Sequence, residues 1–220
     1  MHTFETSAPI TAVFDIAAGR VQLFAADRSD TTVDVRPADP SKGRDVKAVE
    51  QTEVTFADGA LHVVTTAKHE ILGPSGAIEV TVQLPGGSRV DAKAAYVQLR
   101  GVGSLGEVAV DSAQGEVLVD EAASVRISTQ AGDVTIGRLA GPADVRTLKG
   151  AIRIDEAVSG AVVLSTQAGD ITVATAAGTS ATLDASATYG RISNSLRNTG
   201  APEVEIRATT SYGDITATTR

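Results

Sequence analysis

The stretch STQAGDVTI, Ser128 to Ile136, returns almost letter for letter as STQAGDITV, Ser165 to Val173. No other feature narrows the possible folds so much. A looser form of it, a small hydroxylated residue, a turn glycine and then a β-branched residue, recurs with its glycine at Gly115, Gly132, Gly150, Gly169, Gly190 and Gly213. Ala95 stands where an earlier copy would place one. Self-similarity at a period of about 20 residues marks a stacked, solenoid-like sheet, in which each unit buries its apolar face only against its neighbours.

Aligned on this marker, the copies form columns. Two residues after it stand Val97, Val117, Val134, Ile152, Ile171, Ile192 and Ile215, all β-branched. Four after it stand Leu99, Val119, Ile136, Ile154, Val173, Asn194 and Ala217, and five before it Val90, Val110, Ile127, Val145, Leu164, Ala185 and Ala208. Residues between these columns are mostly polar, such as Thr135, Arg153 and Thr172. Alternation on both sides of a tight turn predicts two short strands per copy, each aiming one face inward. Parallel stacking then turns each column into an interior ladder, with the glycine at the corner and the hydroxyl of Ser112, Thr129, Thr147, Thr166 or Thr210 bonded to the turn. Seven coils at about 4.8 Å give a rod of roughly 34 Å. The marker spacing runs 20, 17, 18, 19, 21 and 23 residues. The last two copies lose apolar character at Asn194 and Ala217, so a tapered, polar terminus is expected at the C-terminal end.

The region before the repeats reads as strands with turn punctuation. Ile10 to Ile16 lead into Gly19, Val21 and Leu23, whose spacing makes Gly19 the marker of a degenerate first copy. Val33 and Val35 alternate with polar neighbours. Residues 37–50 read as an exposed excursion ending in a short helical turn, and 67–76 as a loop. Between them Val54 and Phe56 face Leu61 and Val63 across Asp58-Gly59, a hairpin signal. Ile78, Val80, Val82 and Leu84 alternate up to the stop at Pro85-Gly86-Gly87. The expectation is a single all-β domain over 1–220, with N-terminal strands and a hairpin over 1–87 and solenoid repeats over 88–220. Only 3% of the residues are aromatic, so the core must be built from Val, Ile, Leu and Ala.

Several functions are disfavoured. A net charge of −8 argues against nucleic-acid and anionic-membrane partners. With no cysteine there is no disulfide framework and no thiol nucleophile. The first residues lack a basic and an apolar region of a secretory signal, and no window approaches the roughly 18 apolar residues of a spanning helix. The expectation is a cytoplasmic protein without direct membrane insertion. Gly101 to Gly106, GVGSLG, match the dinucleotide fingerprint by letter, but an alternating strand follows where a helix is required, so a coil corner is expected. Asp133, Asp170 and Asp214 could form a calcium ladder, yet Ala151 and Arg191 interrupt the column, and acids on alternate coils stand about 9–10 Å apart. Plain turn residues are the expectation. His2, His62 and His69 have no metal-ligand spacing. No catalytic, cofactor-binding or metal site is assigned. Tyr96, Tyr189 and Tyr212 all lie beside corners, and Tyr189 and Tyr212 are expected to stack, either as corner packing or as an aromatic contact patch.

Taken together, the G-x-V-x-L start at Gly19, the segment VTVQLPGGSRVD (Val80 to Asp91), the serial ST-x-x-GD repeats and the ending TSYGDIT (Thr210 to Thr216) resemble the bacterial putative-adhesin family of β-strand repeats, also called the Toastrack domain. The resemblance covers nearly the whole chain. It implies a right-handed, β-helix-like fold, no catalytic residues to carry over, and association with envelope-stress and signalling systems. The leading expectation is therefore a non-enzymatic scaffold whose outer faces, or the loops at 37–50 and 67–76, contact a partner protein. The alternatives are a self-assembling or adhesin-like protein, hence a homo-oligomer, and a carbohydrate-active β-helix enzyme, for which seven aromatics, with all three tyrosines beside coil corners, make a sugar groove a poor fit.

Overall fold

The computed structural model describes residues 1–65 and 76–220; the loop expected at 67–76 lies, but for Gly76, outside them. Corner glycines divide the chain into paired segments. One series of strands precedes the corners: the first part of β2 (Thr11–Ala26), two stretches of β7 (Arg89–Gln114), the second part of β8 (Val117–Ala131), then β10 (Ala143–Lys149), β12 (Gly160–Ala168), β14 (Ala181–Tyr189) and β16 (Val204–Tyr212). The other follows them: the remaining parts of β2, β7 and β8, then β9 (Val134–Leu139), β11 (Ile152–Ala157), β13 (Ile171–Thr175), β15 (Ile192–Ser195) and β17 (Ile215–Thr219). All neighbours within each series pair in parallel, producing a β-helix-like solenoid.

The columns form the core. Val97, Val117, Val134, Ile152, Ile171 and Ile215 are each fully buried, as are Leu99, Ile136, Ile154 and Val173, while Arg153 between them faces solvent. The hydroxyls three before the corner also point inward: Thr147, Thr166 and Thr210 are buried and donate to the carbonyls of Lys149, Gly150 and Gly169 at 3.2, 3.1 and 3.0 Å.

The stack departs from chain order at both ends. Near the C-terminus β12 pairs with β16, not with β14, and β14 pairs on the far side of β16. β13, β17 and β15 follow the same order. The last coil in sequence, 204–219, therefore occupies the penultimate level, and the terminal coil in space is 181–195. The polar end expected at the C-terminus belongs to this coil. Ile192 is 48% exposed and Asn194 is exposed, whereas Ala217 is fully buried. Ala185 is only half-buried, so the interior assignment of Ile192, Asn194 and Ala185 fails for want of a further coil to cover them.

At the other end β2 is itself a level of the stack, paired to β7 along its length. Ile16 lies opposite Ala94 and Ala18 opposite Tyr96, so Ala17 is the corner residue of this copy. Gly19 instead lies opposite Val97, in an inward column, where a Cβ would collide with the backbone of Ile78. The letter match misplaced the corner by two residues. Beyond β2 the strands β5 (Ala60–Thr65) and β6 (Ile78–Pro85) add one more parallel level. β4 (Thr52–Ala57) then pairs antiparallel with β5 in the expected register, Val54 opposite Val63 and Phe56 opposite Leu61. β3 (Asp30–Pro37) pairs antiparallel with β6, and β1 (His2–Glu5) with β3. Helix α1 (Gly43–Glu50) packs among β3, β4 and β6. The segment 37–50 is thus an end cap and not a free excursion. Ala48 is buried in the core, and buried Asp45 accepts the amide hydrogen of Ala77 at 3.0 Å. Among the described residues the stack has nine levels: β5 with β6, β2, and the seven repeats from Ala95 onward.

Candidate functional site

The repeated corner is built from backbone contact. Gly115 has φ +130° and Gly132 φ +149°, and a Cβ on Gly132 would collide with the carbonyl oxygen of Gly115. The same clash relates Gly150 to Gly132, Gly169 to Gly150, Gly213 to Gly169 and Gly190 to Gly213, which retraces the interchanged order of the last coils. The amides of Gly115, Gly132, Gly150, Gly169 and Gly213 donate to the next level, for example Gly132 to Lys149 O at 2.8 Å and Gly169 to Tyr212 O at 2.9 Å.

The aspartates after the glycines complete this ladder. Asp133 Oδ1 accepts the amide hydrogen of Ala151, Asp170 Oδ1 that of Asp214, and Asp214 Oδ1 that of Arg191, each at 2.8 Å. Each carboxylate therefore caps the residue after the corner on the next level, and the two interruptions of the column, Ala151 and Arg191, are donors to it. The sequence alone placed the acids on alternate coils. The interchange instead sets Asp170 and Asp214 on adjacent levels. The Arg191 amide hydrogen, and then its guanidinium at 3.0 Å, hold the Asp214 carboxyl below the ordinary carboxylate range. Among the described residues no group of three or more His, Asp or Glu side chains could hold a metal ion. His62 lies on β5 opposite Thr55, His2 stacks on Phe4 at 6.4 Å, and His69 falls outside the described residues.

GVGSLG lies within β7 at the second bend of its coil, with a register shift between Gly101 and Ser104 and Gly103 at φ +85°. A strand follows, so no helix terminus faces a phosphate there. The outer faces carry ladders of opposite charge across neighbouring strands. Glu107 pairs with Arg89 and, at 3.6 Å, with Arg126. Arg138 pairs with Glu156 and, at 3.7 Å, with Glu121, and Arg220 reaches Glu156 at 3.7 Å. These pairs are largely exposed and each is worth little in stability.

The aromatic expectation is met. Tyr189 and Tyr212 precede corner glycines on adjacent levels and stack with ring centroids 5.0 Å apart and planes 9° from parallel. They are 64% and 60% exposed. In the same column the next level carries Ala168, so the pair stands proud of its surroundings. Tyr96 sits apart, at the first corner of the repeat series, opposite Ala18.

The model of the Toastrack domain, DUF4097, matches residues 13–220. No curated protein matches the chain. Among solved structures, a putative adhesin from Bacteroides fragilis is 16% identical with a TM-score of 0.59, covering 98% of this chain and 95% of that one. A putative cell adhesion protein from Clostridium sporogenes is 11% identical with a TM-score of 0.45 over 100% and 98% of the two chains. A putative adhesin from Parabacteroides distasonis is 11% identical with a TM-score of 0.40, covering 98% and 95%. The first of these similarities establishes a shared fold.

Proposed function

The chain belongs to the Toastrack family, and from that premise we propose that it is a non-enzymatic β-solenoid scaffold that binds a protein partner within a bacterial envelope-stress or signalling system. The observation that carries this is the exposed Tyr189–Tyr212 stack on a corner held rigid by the glycine and aspartate ladder. Two tyrosines already locked against each other lose little side-chain freedom on binding, and such preordered aromatics are typical anchors of protein interfaces. Around them the polar groups are engaged within the solenoid, Asp170 and Asp214 with backbone amides and Arg191 with Asp214. A cytoplasmic location belongs to the same proposal. Among the described residues, no helix is long and apolar enough to cross a membrane.

An affinity capture from the native cell with the wild-type chain and with Tyr189→Ala/Tyr212→Ala tests the proposal. The same specific partner should be retained by the first and lost by the second, both showing the same melting temperature within a few degrees. Identical capture by both would refute the aromatic patch as the contact. Reducing-sugar release from a glycan panel would replace the scaffold with an enzyme. The names carried by the similar structures favour an adhesin-like role as the second reading.

A further inference from the structure

We propose that the coil 181–195 is a self-association surface through which two copies of this chain join end to end and close as a dimer. The proposal stands independently of the tyrosine contact. Among the described residues β14 is paired only to β16 and β15 only to β17, so both present an unpaired edge of backbone donors and acceptors. The edge is lightly guarded: β14 reads ATLDASATY, with Asp184 its one charged residue and no proline, lysine or irregularity in its pairing. Leu183, Ala185, Ala187 and Leu196 touch the core yet are only partly buried, and Ile192 is exposed beside them.

Three observations select a second copy as the occupant. The first is charge. The chain carries −8, but residues 181–195 contain one acid and one base, Asp184 and Arg191, each already paired, to Arg207 at 3.4 Å and to Asp214 at 3.0 Å. Two acidic molecules therefore meet with little repulsion at this end. The second is register. Antiparallel pairing of β14 with its own copy, centred on Ala185, sets Leu183 opposite the partner's Ala187 and Asp184 opposite the partner's Ser186, so no like charges face each other. The third is size. A nine-residue strand is about 30 Å long, and with the two sheets and their side chains about 20 Å across, the end face offers about 600 Å² per copy. The resulting total of about 1,200 Å² lies at the lower limit of specific interfaces, which fits a weak, concentration-dependent dimer. Because β14 pairs with the β14 of the second copy, both copies use the same patch, and such an isologous contact closes at two.

Sedimentation velocity on the full chain from about 1 µM to about 1 mM is the test. The wild type should pass from monomer to dimer, Ile192→Lys should shift the midpoint at least about tenfold upward, and Val46→Lys on exposed α1 at the far end should leave it unchanged. Hydrogen exchange on the wild type, which needs no variant, should show the amides of 181–189 gaining protection as the dimer forms. A strict monomer throughout, a dimer without that protection, growth beyond dimers, or protection only on adding a different protein would each overturn the proposal.

Discussion

The two ends of this solenoid solve the same problem in opposite ways. At the N-terminal end the chain turns back on its own stack: β3 and β4 run antiparallel to the level they cover, β1 pairs antiparallel with β3, and α1 packs against β3, β4 and β6 with Ala48 in the core. Antiparallel strands and a helix end a parallel stack because they offer no continuation of the same register. At the other end the stack stops at β14 and β15, where Leu183 and Ile192 keep inward places and Asn194 interrupts them, and among the described residues no further level covers this coil. The difference shows that inward-pointing and buried are separate properties. Ile152 and Ile192 hold the same place in their copies, yet one is fully buried and the other 48% exposed.

The sharpest way to break this comparison is to place a charge at that one position in two coils. Ile152→Asp should cost about 4 kcal/mol or more, or prevent folding, because an unpaired carboxylate enters the core. Ile192→Asp should stay within about 1 kcal/mol, and Arg153→Asp, pointing outward, within about 0.5 kcal/mol. Chemical denaturation of the three variants measures this, and similar losses for Ile152→Asp and Arg153→Asp would reverse the inward and outward assignment. The corners give the next largest contrast. Gly132→Ala drives a Cβ into the Gly115 carbonyl with levels on both sides and should cost about 3 kcal/mol. Gly190→Ala meets the Gly213 carbonyl on one side only, so the terminal coil can give way, and thermal melts should show a loss of about 1 kcal/mol.

A smaller effect tests the capped end. Asp45→Ala leaves the Ala77 amide without its acceptor beneath α1 and should cost about 1–2 kcal/mol, read as faster hydrogen exchange over 43–50 with the repeats unaffected. The smallest effect is acid sensitivity. Asp39 near the cap is held at about 2, first by the Ser41 hydroxyl and then by Lys42, and Asp214 near the open end is lowered by Arg191. Both are depressed in the folded state. Their stabilising contribution is therefore present at neutral pH and disappears as pH falls from the ordinary carboxylate value through the lowered one. Melting temperatures from pH 7 to about 2 should fall less steeply for Asp214→Asn and for Asp39→Asn than for the wild type.

What the sequence made legible was everything that depends on position within a copy. The inward columns, the corner glycines, the hydroxyls bonded to the corner carbonyls and the hairpin at Asp58-Gly59 are local patterns, set by a two-residue period and by turn chemistry. The order of the levels was hidden because every strand before a corner presents the same face pattern, so β16 fits against β12 as well as β14 would. A clue lay in the letters: Asn194 is more polar than Ala217, which suits an outermost coil better than an inner one. Gly19 was misassigned because a glycine needed for close approach to Ile78 looks, in sequence, like a corner glycine. The tyrosine stack was legible because it needs only adjacent levels, in either order.

The interchange of the last two coils also has a consequence during synthesis. From the second repeat through the level that ends at β13, each level can dock as it leaves the ribosome onto one made about one repeat before; Asp133 and Ala151, for instance, are 18 residues apart. The coil 181–195 has no such landing place until β16 and β17 exist, since Asp170 meets Asp214 across 44 residues. The extra loop closure is modest, about 0.6 kcal/mol for a doubling of length. The dependency is not. Solenoids are ordinarily shortened or lengthened one repeat at a time, but a chain of this kind ending near residue 203 loses two levels at once, because the penultimate level arrives last and the terminal one waits for it. Residues 204–219 act as a keystone, and their synthesis becomes a condition for docking the coil 181–195.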